Sequence, residues 1–90
     1  MTEKELKILG FEERHDDGGG YWEKYRYYYY KIAEGLELIS SPSDESEDTD
    51  IWYVEFLDTT PSVRFVKFGE VQALINLFEK RKFEKDEVEN

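Results

Sequence analysis

The sequence predicts an α+β domain: a four-stranded antiparallel sheet with a helix at each end, in the order α-β-β-β-β-α. Apolar residues near both termini recur with the period of a helix, apolar and polar residues alternate between them, and short polar turns separate the alternating segments. A chain of 90 residues has room for one domain. We place that domain at residues 1–83 and expect a charged, frayed tail at residues 84–90.

The first predicted element is a short helix in "TEKELKILGF", residues 2–11. Thr2 can cap its first turn, and Glu5 three residues later completes a capping box. Gly10 supplies the left-handed residue that commonly ends a helix. The next segment, "EERHDDGGG" at residues 12–20, is typical of a loop with a flexible tip.

The first predicted strand, residues 21–32, contains "YRYYYY", which places five tyrosines in six positions. Because successive side chains of a strand point to opposite faces of its sheet, these rings must divide between two faces. We expect one set to pack against the helices and the other to line the open face. The expected core set is Trp22, Tyr28, Tyr30 and Ile32, and the expected open-face set is Tyr21, Tyr25, Tyr27 and Tyr29.

Three further strands and a helix complete the predicted fold. The strands are "LELIS" at 36–40, "IWYVEFLD" at 51–58 and "VRFVKF" at 63–68. The helix, "GEVQALINLFEKRKF" at 69–83, has apolar residues at i, i+3, i+4 and i+7. Because each helix has one apolar stripe, we expect both to pack on the same face of a meander sheet and to leave the other face open.

Charge is distributed unevenly along the chain. Twenty-two acids against twelve bases give a net charge of −10, which opposes binding to bare nucleic acid or to an anionic membrane. No Lys or Arg lies between Lys31 and Arg64, although nine acids do. Residues 40–50, "SSPSDESEDTD", contain no apolar side chain and predict a solvated or disordered acidic loop. Any partner attracted by charge should therefore be basic.

The sequence has no catalytic or cofactor signature. It contains no cysteine and one histidine, His15, so thiolate sites and sites with two imidazoles are excluded. The acidic loop lacks the glycine and glutamate register of an EF-hand, and "HDDGGG" lacks the lysine and hydroxyl of a P-loop. No apolar stretch approaches the roughly 20 residues that span a bilayer. We therefore expect a cytoplasmic, non-enzymatic protein without metal or cofactor.

The surplus tyrosines and the acidic loop are the candidate partner-binding features. Exposed tyrosines give large, rigid contact areas at interfaces. They could equally pair across the sheet, join two copies as a homodimer, or form a small-molecule or sugar platform. The acids could form a solvated loop or an anionic surface that imitates nucleic-acid phosphates. The candidate residues are Tyr21, Tyr25, Tyr27, Tyr29, Tyr53, Asp44, Glu45, Glu47, Asp48 and Asp50.

Several stretches, "ELKILGF", "YWEKY", "LELIS", "WYVEF" and "FGEVQALINLF", give the chain a recognisable pattern. In this pattern it resembles the small, acidic, mostly uncharacterised proteins of bacteriophages and mobile elements. The resemblance covers most of the chain, but its motifs are structural and carry no functional residue over. It implies an accessory protein that binds and inhibits basic host machinery, such as a defence or nucleic-acid-acting enzyme, in the host cytoplasm.

Overall fold

A computed structural model describes residues 1–16 and 24–81 of the chain. Its five strands form one sheet in the order β1-β2-β3-β4-β5, with every neighbouring pair antiparallel. The expectations for Tyr21, Trp22 and the tail at 84–90 fall outside the described residues. The elements are α1 (Glu3–Ile8), β1 (Glu12–Asp16), β2 (Tyr25–Ala33), β3 (Leu36–Ser40), α2 (Ser43–Ser46), β4 (Val54–Phe56), β5 (Arg64–Phe65) and α3 (Phe68–Arg81).

Helix α1 begins and ends as the sequence predicts. The Thr2 hydroxyl accepts from the Glu5 N–H, and the Glu5 carboxylate accepts from the Thr2 N–H, which completes the capping box. At the other end Gly10 has φ +95°, and the Phe11 N–H donates to the Leu6 carbonyl at 3.2 Å. This left-handed cap turns the chain so that Phe11 enters the core beside Leu6.

The sheet has five strands, and the expectation of four was wrong. The segment expected to be a loop begins with β1, where Glu12 lies opposite Tyr29 and Asp16 lies opposite Tyr25. All five side chains of β1 are exposed, so the strand lacks the apolar alternation that would have indicated it. It forms because it pairs with the long edge of β2. Its charged side chains also discourage a further strand from joining that edge.

One hydrophobic core lies between the two longer helices and one face of the sheet. Tyr28 and Ile32 of β2 are buried in it, and Tyr30 packs against it, so the predicted division of the β2 side chains is confirmed there. Helix α3 contributes Val71 and Ile75 from its predicted stripe. The buried core residues are Leu6, Phe11, Tyr28, Ile32, Leu38, Trp52, Val54, Val71 and Ile75.

The acidic segment at 40–50, expected to be a solvated or disordered loop, exposes its acidic side chains but packs through its serines. It contains helix α2, and four of its serines are buried. The Ser40 hydroxyl accepts from the Tyr28 N–H at 2.8 Å, and the Ser43 hydroxyl accepts from the Arg26 N–H at 2.9 Å. These hydroxyls satisfy backbone donors of β2 beyond the end of its pairing with β3. The buried serines are Ser40, Ser41, Ser43 and Ser46.

The same serines also fasten the segment to the strand that follows it. The Ser41 hydroxyl accepts from the Tyr53 N–H at 3.1 Å and bonds the Ser46 hydroxyl at 2.7 Å. Every buried side-chain polar atom within the described residues has a partner. A segment without apolar residues can therefore pack, because each buried hydroxyl has a hydrogen-bond partner.

Candidate functional site

The sheet face opposite the helices carries an open groove of about 380 Å³. Neighbouring strands bring its walls together: β2 contributes two rings, β3 an isoleucine, and the segment around β4 a third ring and a carboxylate. Tyr25 and Tyr27 of the expected open-face set line this groove, and neither belongs to the buried core. We call it the tyrosine groove and define it by Tyr25, Tyr27, Ile39, Tyr53, Asp16 and Glu55.

The three rings of the tyrosine groove are half-buried, and hydrogen bonds orient two of them. The ring centroids of Tyr25 and Tyr27 are 6.3 Å apart at an interplanar angle of 45°. The Tyr25 hydroxyl donates to Asp16 Oδ2 at 3.1 Å, and the Tyr53 hydroxyl donates to Glu45 Oε1 at 3.1 Å. The bond to Asp16 raises the pKa of Tyr25, whereas burial and then Glu45 raise the pKa of Tyr53. Both phenols therefore stay neutral at physiological pH.

Tyr27 differs from the other described tyrosines, because its hydroxyl is the one that makes no hydrogen bond within the described residues. The remaining five each donate to a carboxylate. Tyr27 is partly exposed and lines the groove. The five donor–acceptor pairs are Tyr25 with Asp16, Tyr28 with Glu3, Tyr29 with Glu37, Tyr30 with Glu79, and Tyr53 with Glu45.

Two arginines already stack on tyrosines of this face. The guanidinium carbon of Arg14 lies 3.8 Å from the ring centroid of Tyr29, and Arg14 Nε donates to Glu12 Oε1 at 2.6 Å. The guanidinium carbon of Arg64 lies 4.1 Å from the ring centroid of Tyr53, and Arg64 Nε donates to Glu55 Oε2 at 2.9 Å. Each arrangement combines a cation over a ring with a carboxylate beside it.

The structure divides the acidic candidates instead of bringing them together. Glu45 joins the tyrosine face through Tyr53, and Asp44 is exposed and close enough to contribute to the raised pKa of Tyr25. The other three lie away from the groove. Glu47 Oε2 accepts from Arg26 Nη1, Asp50 Oδ1 accepts from Trp52 Nε1 and the Glu3 N–H, and Asp48 is exposed.

Three side chains of this face were not among the predicted site residues. Asp16 was missed because its strand was read as a loop. Ile39 and Glu55 could have been found, since each alternates with a core residue along a correctly predicted strand. Tyr29 lies on the expected face but outside the groove lining, where Arg14 covers it.

Within residues 1–16 and 24–81, no group of three or more His, Cys, Asp or Glu side chains is arranged to hold a metal ion. No helix in that part of the chain has both the length and the apolar character needed to cross a bilayer. The chain matches no family model, no curated protein and no solved structure.

Proposed function

We propose that this protein is a non-enzymatic accessory protein of phage type that binds and inhibits a basic host protein, a defence or nucleic-acid-acting enzyme. Binding uses the open sheet face. The observation that carries the proposal is the tyrosine groove itself: three aromatic rings and an isoleucine, bordered by carboxylates, on the sheet face opposite the core that α1 and α3 cover.

The chemistry of the groove favours a cationic surface as partner. Tyr25, Tyr27 and Tyr53 supply rigid rings whose burial stabilises an interface, and rings attract cations over their faces. Asp16 and Glu55 line the same groove, so an anionic partner would be repelled there. The net charge of −10 would also steer a basic protein toward this chain and speed their association.

The test is capture of host proteins on the tagged chain, followed by reconstitution with the purified candidate. Capture is compared at about 50 mM and about 500 mM NaCl, because salt screens interactions between exposed charges. We expect a basic protein that is retained at low salt and weakened at high salt, and whose activity falls when the complex is rebuilt from pure components.

Variants connect that capture to the groove. A Tyr25→Ala, Tyr27→Ala double variant should weaken the reconstituted complex by about 1–4 kcal/mol, the range for buried aromatic anchors. Leu77→Ala, on the exposed side of α3, is the control for loss of an exposed apolar side chain and should leave affinity unchanged. A folded double variant that binds and inhibits as well as the wild type would remove the groove from the interface.

The rival proposal is a homodimer that buries the aromatic face, since the same rings could pair between two copies. Solution mass separates the two proposals. A dimer that persists at about 500 mM NaCl, dissociates in the double variant, and binds no basic protein would replace partner binding with self-association.

A further inference from the structure

The open face contains two arginine–tyrosine–carboxylate units that are complete within the chain. Arg14 lies over Tyr29 and pairs with Glu12, and the second unit is built in the same way from Arg64, Tyr53 and Glu55. In both, a guanidinium lies over a phenol ring while its Nε–H donates to a carboxylate on a neighbouring side chain. The surface of this chain thus accommodates guanidinium groups at two places.

A third ring set lies in the same groove as Tyr53 and Glu55 of the second unit. Tyr25 and Tyr27 line the groove with Asp16, and no cation of the described residues lies over either ring. The Tyr27 hydroxyl, the one described phenol without a hydrogen bond, also belongs to this set. Two rings, a carboxylate and open volume therefore lie together here, and no arginine of the described residues stacks on these two rings.

We propose that the tyrosine groove is the receptor for an arginine side chain of the partner, inserted against Tyr25 and Tyr27 and paired with Asp16. The proposal rests on the proposed function, because it specifies which side chain of the basic partner the groove takes. The guanidinium completes a third unit of the kind that the chain builds twice from its own residues. The Tyr27 hydroxyl accepts one of its N–H groups.

Arginine fits this groove better than lysine does. The guanidinium is planar, so it stacks on a phenol ring and still presents N–H groups at its edge to a carboxylate. An ammonium group is more strongly hydrated and loses more hydration when it enters a half-buried groove. A phosphate or a carboxylate ligand would meet Asp16 and Glu55, which line the groove, and would be repelled.

The probe is a short capped Gly-Ser peptide with one central arginine, titrated into the full chain and followed by amide chemical shifts in NMR. Matched peptides carry lysine or citrulline at the same position; citrulline keeps the shape of arginine but is neutral. We expect shifts centred on residues 25, 27, 39 and 53. The arginine peptide should bind about tenfold more tightly than the citrulline peptide and severalfold more tightly than the lysine peptide.

Variants then assign the contacts. Tyr27→Ala should weaken arginine-peptide binding about tenfold, and Tyr27→Phe, which keeps the ring, should weaken it less than about threefold. Asp16→Asn should also weaken binding severalfold. Asp58→Asn makes the same charge change at an exposed residue outside the groove and should leave affinity within about twofold. If Tyr27→Ala does not fold, the Asp16→Asn and Asp58→Asn pair decides.

Equal binding of the arginine and citrulline peptides would overturn the proposal, as would shifts that map elsewhere or equal effects of the two Asp→Asn variants. Its failure is distinct from failure of the proposed function. A basic partner that binds Tyr27→Ala and the wild type equally would leave partner binding intact but remove the arginine receptor. If the groove binds arginine specifically but the chain captures no basic protein, the arginine receptor stands and the proposed function fails.

Discussion

The Tyr28 hydroxyl donates a hydrogen bond to the Glu3 carboxylate at 2.6 Å and so joins the centre of β2 to the first turn of α1. Arg26 donates to the same carboxylate through Nε at 2.5 Å and Nη2 at 2.9 Å, and its Nη1 donates to Glu47. Hydrogen bonds from Arg26, opposed by burial and reinforced by Tyr28, lower the pKa of Glu3 to about 2. This network connects α1, β2 and the acidic segment at one end of the core.

The first prediction concerns stability in acid. Because the pKa of Glu3 is about 2 in the folded chain and ordinarily 4.5, its ionised form stabilises the fold above about pH 5. That stabilisation should be lost as the pH falls from about 5 to about 2. Since the Glu3 side chain is 22% exposed, we expect a loss of about 1–3 kcal/mol. Urea unfolding at several pH values measures it.

Glu3→Gln should lower the stability at pH 7 and flatten its dependence on pH between about 5 and 2. Glu34→Gln is the matched control, because Glu34 is 91% exposed and its ion pair with Lys31 lies in solvent. It should change the free energy of unfolding little. Equal pH dependence in wild type and Glu3→Gln would show that the Arg26 network does not stabilise the fold.

The second prediction concerns the buried serines. Ser40→Ala removes the acceptor of the Tyr28 N–H, and both groups are buried. An unsatisfied buried donor costs about 1–3 kcal/mol, so the urea midpoint should fall correspondingly. Ser62→Ala, at an exposed turn, is the control and should be neutral. If the two variants were equally stable, water would be replacing the lost hydroxyl at position 40.

The third prediction compares two glycines. Gly10 has φ +95°, and an added Cβ would lie 3.6 Å from Tyr30 Cε2, so Gly10→Ala meets backbone strain without a clash. We expect it to destabilise the fold by about 1 kcal/mol. Gly69 lies in α3 with open space around it, and Gly69→Ala should stabilise by about 0.5 kcal/mol. Thermal unfolding should therefore move in opposite directions, and shifts of the same sign would contradict the assignment of the helix end.

The sequence was sufficient to predict the features that depend on residues close together in the chain. The capping box at Thr2, the helix stop at Gly10 and the stripe of α3 depend on neighbouring residues, so they could be predicted. The division of tyrosines in β2 also follows from the period of a strand. Strand β1 could not be predicted in this way, because only its pairing with β2 makes its charged residues a strand.

The candidate site was predictable in its rings but not in its carboxylates. Tyr25, Tyr27 and Tyr53 share a face because alternation and register place them there. From composition alone, the acids of residues 40–50 were predicted to form one surface. In the structure, buried serines fix α2, and Glu47 pairs with Arg26 away from the groove. The path of that segment depends on hydrogen bonds between residues distant in the sequence.

The last prediction uses the arginine that the chain supplies to its own groove wall. The Arg64→Ala variant removes the guanidinium that stacks on Tyr53 and pairs with Glu55. The groove then has a second ring and carboxylate that an arginine of the peptide can contact. Because Arg64 is exposed, the fold should lose little stability. Affinity for the arginine peptide should rise about two- to fivefold, measured by the same NMR titration. Unchanged affinity would mean that Tyr53 and Glu55 take no part in binding, whereas reduced affinity would mean that Arg64 orders the groove instead of occupying part of it.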